Sequence, residues 1–146
     1  MVSVTEELFV KKRNYKTNTK YRCLSALLVE DLGSGEYDYQ LSAREEGGTR
    51  VTYYVTVTAN TTGNHPEPNA AIYPEDPFEG KMNHKIVTMD DKHSCFVLVR
   101  VTGGTNRECY LAMTQSTVKG TIPHQCESAY TTYCGGKSLT LYEDDC

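Results

Sequence analysis

The sequence predicts an all-β protein, built as an antiparallel barrel of eight strands with a C-terminal helix packed outside it and a short final strand. Two observations lead to this prediction. Short β-rich segments alternate with Gly, Asn, Asp and Thr turns through the first three quarters of the chain, and the six cysteines suit a fold stapled by disulfides. The 146 residues fit one domain, residues 1–146, and are enough to bury a core.

The clearest predicted strand is residues 49–58, which carry Val, Tyr, Val and Val at alternate positions and mostly Thr between them. This period of two predicts a strand with one side facing a core. Residues 36–44 alternate in the same way, and Gly47-Gly48 fits a hairpin turn between the two strands. The predicted strands are residues 7–13, 21–30, 36–44, 49–58, 70–73, 84–89, 94–101 and 107–114.

The remaining segments differ in character. Residues 60–80 contain four of the five prolines, which predicts an irregular loop around the short strand at 70–73. Pro123 fits the first position of a helix over residues 123–134, and Gly135-Gly136 ends it before a last strand at 138–142. A β-sandwich is the alternative architecture, but without Trp the chain lacks the Cys–Trp–Cys pattern of immunoglobulin domains. The late helix and its cysteines favour the barrel.

The cysteines indicate an oxidising compartment, because an even number of them suits three disulfides in a secreted protein. A zinc site is the rival interpretation, but no cysteine pair has C-x2-C spacing and the four histidines are dispersed, so we expect no metal. The sequon at Asn60 predicts a glycosylation acceptor, in agreement with secretion. No apolar segment follows Met1, so we expect a secreted form to have lost its signal peptide.

Several classes of function find no support in the sequence. The net charge of −4 gives no electrostatic footprint for nucleic acid, and there is no run of 18 apolar residues to span a membrane. Neither a Gly-x-Ser-x-Gly nor a His-Glu-x-x-His motif occurs, and the paired acids lie at turns and at the C terminus. We therefore expect a binding protein that is not an enzyme and has no cofactor.

Several segments together resemble one known family. They are residues 8–15 (LFVKKRNY), 21–26 (YRCLSA), 95–98 (CFVL), 109–113 (CYLAM) and the C-terminal stretch 123–146. In order and spacing they are similar to the tick salivary lipocalins, and they cover nearly the whole chain. The resemblance implies an eight-stranded lipocalin barrel whose lumen holds a small molecule. It also implies the disulfides Cys23–Cys146, Cys95–Cys126 and Cys109–Cys134, one of 15 connectivities that six cysteines allow.

The chain departs from the family where amine-binding members carry two acids. Those members have a Cys-Asp-(Val/Ile/Leu) motif and a later Glu-Leu-(Trp/Tyr) motif. Here Phe96 and Tyr110 stand at the acid positions, and Ala112 stands at the aromatic one. A buried ammonium without a carboxylate partner is costly, so this departure argues against histamine or serotonin and for an apolar ligand.

Strand alternation extends this prediction to a ligand site. If Phe96 faces the lumen, so do Leu98 and Arg100, and an inward Tyr110 brings Ala112 with it. The sequence does not decide which face of the first strand, the one with Phe9 and Lys11 or the other, is the inner one. The predicted ligand-binding residues are Phe9, Lys11, Tyr37, Tyr39, Leu41, Tyr53, Val55, Phe96, Leu98, Arg100, Tyr110 and Ala112.

Arg100 is the first candidate to anchor a ligand carboxylate, as a fatty acid or eicosanoid would require. A position at the rim or outside the barrel is the alternative for it. Further candidate cations are Lys11, Arg13, Arg44 and Arg50.

The leading hypothesis is a secreted salivary protein, acting as a monomer, that sequesters a leukotriene or related fatty acid from the host. An amine binder that uses other acids, such as Glu36, Asp38 or Glu108, is the second. The third is a protein-interaction module, in which the barrel is a scaffold and its loops bind a host protein. A lumen packed shut by side chains would favour this third hypothesis.

Overall fold

The structure is a computed structural model that describes residues 3–17, 19–104, 106–135 and 137–146. Within these residues the chain forms nine strands and one helix. In chain order they are β1 (Leu8–Arg13), β2 (Arg22–Gly33), β3 (Glu36–Arg44), β4 (Arg50–Asn60), β5 (Ala70–Tyr73), β6 (Met82–Met89), β7 (Cys95–Arg100), β8 (Glu108–Thr114), α1 (His124–Cys134) and β9 (Leu139–Thr140).

The first eight strands form a closed antiparallel barrel. Each strand from β2 to β7 pairs with the strand that follows it, and β1 closes the circuit by pairing with β8 on one side and β2 on the other. A register shift between Val10 and Lys12 bends β1, so that Leu8 pairs with Ala26 of β2 while Lys12 pairs with Thr140 of β9. β9 therefore adds to β1 outside the circuit. The predicted barrel with a helix and a short final strand is confirmed.

The last strand is shorter than predicted, because the chain leaves the regular ladder after Thr140. The Leu141 and Tyr142 amides donate to the Lys11 carbonyl, and the Leu141 carbonyl accepts from the Cys23 amide. Pro123 precedes the helix instead of opening it. At the other end of the helix, Gly135 has a positive φ of 82°, a conformation that glycine adopts at low cost, and the helix ends before it as predicted.

The helix covers the outer face of β6, β7 and β8. Cys126 and Tyr130 are its buried residues, and they pack against the outward side chains of β7 and β8. Both faces of these strands are thus covered, which explains why their sequence is apolar at consecutive positions. This helix is 11 residues long. Among the described residues, no helix is long and apolar enough to cross a membrane.

Three disulfides fix the C-terminal segment to the barrel. They are Cys23–Cys146, Cys95–Cys126 and Cys109–Cys134, with Cα–Cα distances of 5.4, 6.4 and 5.9 Å, and they are the pairs that the family resemblance implied. The sequon residue Asn60 is half-buried at the end of β4, and its glycosylation stays a prediction.

The connections between strands define an upper and a lower end of the barrel. The upper end carries the β1–β2, β3–β4, β5–β6 and β7–β8 connections, and the lower end carries the β2–β3, β4–β5 and β6–β7 connections. The β5–β6 connection, residues 74–81, begins with the sequence Pro-Glu-Asp-Pro and lies across the upper end.

Candidate functional site inside the barrel

A cavity of about 570 Å³ lies inside the barrel. Its volume is within the range of small-molecule sites, roughly 300–1,000 Å³. Its wall is mostly apolar and aromatic, and few polar side chains reach it. The lining residues are Leu8, Val10, Leu24, Ser25, Ala26, Gly35, Tyr37, Tyr39, Leu41, Ser42, Tyr53, Val57, Ala59, Glu67, Pro68, Ala70, Ala71, Tyr73, Glu75, His84, Ile86, Leu98, Tyr110 and Ala112.

Most of the predicted ligand-binding residues line this cavity. They are Tyr37, Tyr39 and Leu41 of β3, Tyr53 of β4, Leu98 of β7, and Tyr110 and Ala112 of β8. Val55 and Phe96 also point inward, but they are buried among their neighbours and are not part of the cavity wall. Whether the lining residues contact a ligand stays a prediction.

The placement of the first strand corrects two expectations. Leu8 and Val10 line the cavity, so the alternate residues Phe9 and Lys11 lie outside the barrel. The Phe9 ring packs edge-on against Tyr142, with ring centroids 5.3 Å apart. The Lys11 ammonium donates to the carbonyls of Val118 and Gly120. Neither Phe9 nor Lys11 is therefore placed to meet a ligand in the lumen.

Arg100, the last residue of β7, is buried at the upper end of the barrel, 8% exposed, and is not among the residues that line the cavity. It is also surrounded by carboxylates already. Its guanidinium nitrogens lie 3.6 Å from Glu75, 3.5 Å from Glu79 and 3.6 Å from Glu108, and it stacks over the Tyr15 ring at 4.6 Å. These contacts leave Arg100 engaged within the protein, which corrects the expectation of a free cationic anchor for a ligand.

Glu75, from the β5–β6 connection, brings a carboxylate to the upper end of the cavity. The Tyr15 hydroxyl donates to both of its oxygens, at 2.7 and 2.6 Å. Arg13 Nη1 lies 3.4 Å from Oε1, while Arg100 Nη1 and His84 Nε2 each lie 3.6 Å from Oε2. Glu75 could not be predicted from the sequence, because an acid inside a proline-rich loop follows no strand period.

The β5–β6 connection is held over the barrel by its neighbours. Asp76 accepts hydrogen bonds from the hydroxyls of Thr17 and Thr19, at 3.2 and 2.5 Å, and so joins this connection to the β1–β2 connection. The Tyr53 hydroxyl donates to the Glu75 carbonyl at 2.8 Å. These contacts fix the position of the Glu75 carboxylate from two sides.

His84 of β6 completes the polar end of the cavity. It is fully buried, and its ring stacks on Tyr73 with centroids 3.9 Å apart and an interplanar angle of 15°. Among the described residues, neither ring nitrogen has a hydrogen-bond partner. The hydroxyls of Tyr73 and Tyr110 contact each other beside it. We call Glu75, His84, Tyr73 and Tyr110 the polar end of the cavity.

Glu75 is ionised at neutral pH. Burial raises the pKa of its carboxyl, but nearby His84, the hydrogen bonds from Tyr15 and the charge of Arg13 outweigh burial and hold the pKa below its ordinary value. A carboxyl whose pKa is lower in the folded than in the unfolded state stabilises the fold above the unfolded pKa. That stability is lost as the pH falls through the folded pKa.

Acidification is therefore expected to destabilise the protein through Glu75. Urea unfolding at about pH 7 and about pH 3 should show a loss of unfolding free energy that is smaller in the Glu75→Gln variant than in the wild type. The matched variant Glu46→Gln, in the exposed β3–β4 turn, should show the loss of the wild type. Equal losses in all three proteins would contradict a stabilising Glu75 carboxylate.

The acids considered for an amine site do not line the cavity. Glu36 is exposed. Asp38 lies on the strand face opposite Tyr37 and Tyr39, where it accepts a hydrogen bond from Thr56 at 2.9 Å. Glu108 lies beside Arg100, away from the cavity wall.

Comparison with known proteins agrees with the observed fold. Residues 2–146 match the family model described as tick histamine binding protein, and no curated protein matches the chain. Japanin from Rhipicephalus appendiculatus, solved bound to cholesterol, is similar with a TM-score of 0.70 and 14% identity, over 98% of this chain and 96% of that one.

Two further solved structures have the same architecture. Lobster apocrustacyanin A1 has a TM-score of 0.63 and 12% identity, over 97% of this chain and 79% of that one. The siderocalin Ex-FABP has a TM-score of 0.60 and 14% identity, over 96% of this chain and 94% of that one. At these identities the likeness shows a shared fold alone.

Proposed function

Because the chain belongs to the tick histamine-binding protein family, we propose that it sequesters a small apolar lipid of the host in the cavity of its lipocalin barrel. The observation that carries the proposal is the cavity itself, which is about 570 Å³ in volume and has a mostly apolar wall. The three disulfides and the family indicate a secreted protein. Its action is stoichiometric burial of the ligand, without turnover.

Burial of apolar surface supplies the driving force. Each methylene group that leaves water for an apolar wall contributes about 0.8 kcal/mol, before the costs of association are subtracted. A lipid chain has many such groups, whereas histamine and serotonin have few and carry an ammonium whose burial is costly. A wall of leucines, alanines and tyrosines therefore favours a lipid over an amine.

Electrostatics also favour an uncharged or apolar ligand over an amine. Phe96 and Tyr110 replace the two acids of the amine-binding motifs, and Tyr110 lines the cavity. The carboxylate that does reach the cavity, Glu75, has Arg13 and Arg100 beside it at 3.4 and 3.6 Å. Its charge is compensated within the protein, so it is a poor partner for a ligand ammonium.

The proposal covers the class of small apolar lipids. Leukotrienes and related fatty acids, which the sequence favours, belong to it, and so do neutral lipids such as the cholesterol bound by Japanin. By removing such a mediator at the feeding site, the protein would suppress host inflammation. The open cavity argues against the protein-binding scaffold with a packed lumen.

Ligand identification and titration test the proposal. Native mass spectrometry of the purified protein should reveal bound lipid, and calorimetric titration should give one site for at least one of leukotriene, arachidonate and cholesterol. Histamine and serotonin should give no saturable binding in the same assay. Tight histamine binding with no lipid binding would overturn the proposal.

A further inference from the structure

We propose that the polar end of the cavity selects lipids that end in an uncharged hydroxyl over lipids that end in a carboxylate, because Glu75 already occupies the place of a ligand carboxylate. This inference rests on the proposed function and narrows its ligand class. It follows from the two arginines beside the polar end, from the charges around Arg100 and from the position of His84.

The cations that could receive a ligand carboxylate lie at ion-pair distance from carboxylates of the protein, 3.4–3.6 Å. Arg13 and Arg100 are the buried arginines of the described residues, and both side chains approach Glu75 from the upper end. Glu75 lines the cavity, while neither arginine does. A ligand that enters from the lumen therefore meets the Glu75 carboxylate before it meets a guanidinium.

The charge balance around Arg100 is unfavourable for another anion. Glu75, Glu79 and Glu108 all lie within 3.6 Å of its guanidinium, and Arg13 is the second buried arginine nearby. A ligand carboxylate would add a further negative charge next to ionised Glu75 in a site screened from water. Like charges at such a site repel strongly, so the ligand would have to be protonated or bind weakly.

His84 supplies a position for a neutral polar group. Its ring is fully buried and lines the cavity, and neither nitrogen has a hydrogen-bond partner among the described residues. Nε2 lies 3.6 Å from Glu75 Oε2, beyond a hydrogen bond, and Nδ1 has no partner among the described residues. Because buried polar atoms normally have a partner, the ring indicates a missing one. A hydroxyl can donate to one imidazole nitrogen or accept from the other, whichever tautomer is present, whereas a carboxylate only accepts. A lipid alcohol therefore fits this end of the cavity.

A matched pair of lipids tests the inference on the wild-type protein. Arachidonyl alcohol and arachidonic acid have the same chain and differ only at the polar end. Titrated at about pH 8, where the acid is ionised, the alcohol should bind at least about 30-fold more tightly. Arachidonyl amine should bind no more tightly than the alcohol, because both Glu75 oxygens already accept from Tyr15 and lie beside Arg13 or Arg100. The other two acids beside Arg100, Glu79 and Glu108, do not line the cavity and cannot receive the ammonium.

The Glu75→Gln variant tests the cause of the selectivity. It keeps the size of the side chain and removes the charge that repels a ligand carboxylate, and it leaves Arg13 without the carboxylate at 3.4 Å. The ratio of alcohol to acid affinity should fall at least about 10-fold. Glu46→Gln makes the same charge change in the exposed β3–β4 turn and should leave the ratio unchanged.

Each result separates this inference from the proposed function. Wild-type protein that binds the acid as tightly as the alcohol would overturn the inference and leave lipid binding intact. So would a Glu75→Gln variant with the selectivity of the wild type, or an amine that binds more tightly than the alcohol. If no lipid binds, including cholesterol, the proposed function itself fails. The wild-type comparison decides the inference even if the variant does not fold.

Discussion

The Phe96→Ala substitution is expected to lower the free energy of unfolding by about 3–5 kcal/mol. Phe96 is 0% exposed, and its ring points inward from β7 into a cluster that includes Leu8, Leu98 and Ala112. Removal of the ring deletes these contacts and leaves a void. The void cannot collapse easily, because the preceding residue, Cys95, is bonded to the helix through Cys126. Urea unfolding followed by circular dichroism measures the loss.

Phe78→Ala is the matched control for this prediction. Phe78 lies in the β5–β6 connection and is 72% exposed, so the same chemical change should alter the stability by no more than about 0.5 kcal/mol. A loss of under about 1 kcal/mol for Phe96→Ala would contradict the role of Phe96 as a packing residue. Phe96 stands where amine-binding relatives of the family carry an acid. Its expected contribution here is to stability, because it lies behind the cavity wall.

Alternation made much of the cavity wall predictable. Along β3 and β4 the apolar residues occupy one face, and once that face is inward, every second residue follows. Tyr37, Tyr39, Leu41 and Tyr53 therefore line the cavity as expected. In β7 the assumption that Phe96 faces inward orients the rest of the strand, and in β8 the same assumption for Tyr110 does so.

The first strand could not be oriented in this way, because each of its two faces carries both apolar and charged residues. Leu8 and Val10 face the lumen, while Phe9 packs against Tyr142 from the C-terminal segment. A strand that is covered on its outer side by a distant part of the chain loses the contrast between apolar and polar faces. Which face of β1 points into the lumen depends on tertiary packing, and a local sequence pattern does not predict it.

The polar end of the cavity was predictable only in part. Period two placed Arg100 inside the barrel, but its partner Glu75 comes from a connection with two prolines and no periodicity. Sequence patterns describe strands and turns, whereas the path of a long connection across the barrel depends on contacts such as Asp76 with Thr17 and Thr19. The sequence thus predicted a cation in the lumen and missed the carboxylate that pairs with it.

The Ala71→Phe substitution is expected to weaken lipid binding at least about 100-fold, or about 2.7 kcal/mol, with little loss of stability. Ala71 lies on β5, pairs with Ala59 and His84, and lines the cavity. A phenyl ring at this position extends into the lumen and takes the space that the ligand needs. Because it fills a cavity and displaces no packed side chain, the fold should tolerate it better than it would tolerate overpacking of a filled core.

Thr58→Phe is the control, since Thr58 is an exposed residue of β4 that pairs with Ile72, next to Ala71. It adds the same ring to the same part of the sheet on the outer face, and it should leave the affinity within about threefold of the wild type. Calorimetric titration with whichever lipid the wild type binds measures both variants, and urea unfolding checks that each is folded. A folded Ala71→Phe protein that binds the lipid as the wild type does would place the ligand outside the lumen. In that case the barrel would act through its surface, and the cavity would not be the binding site.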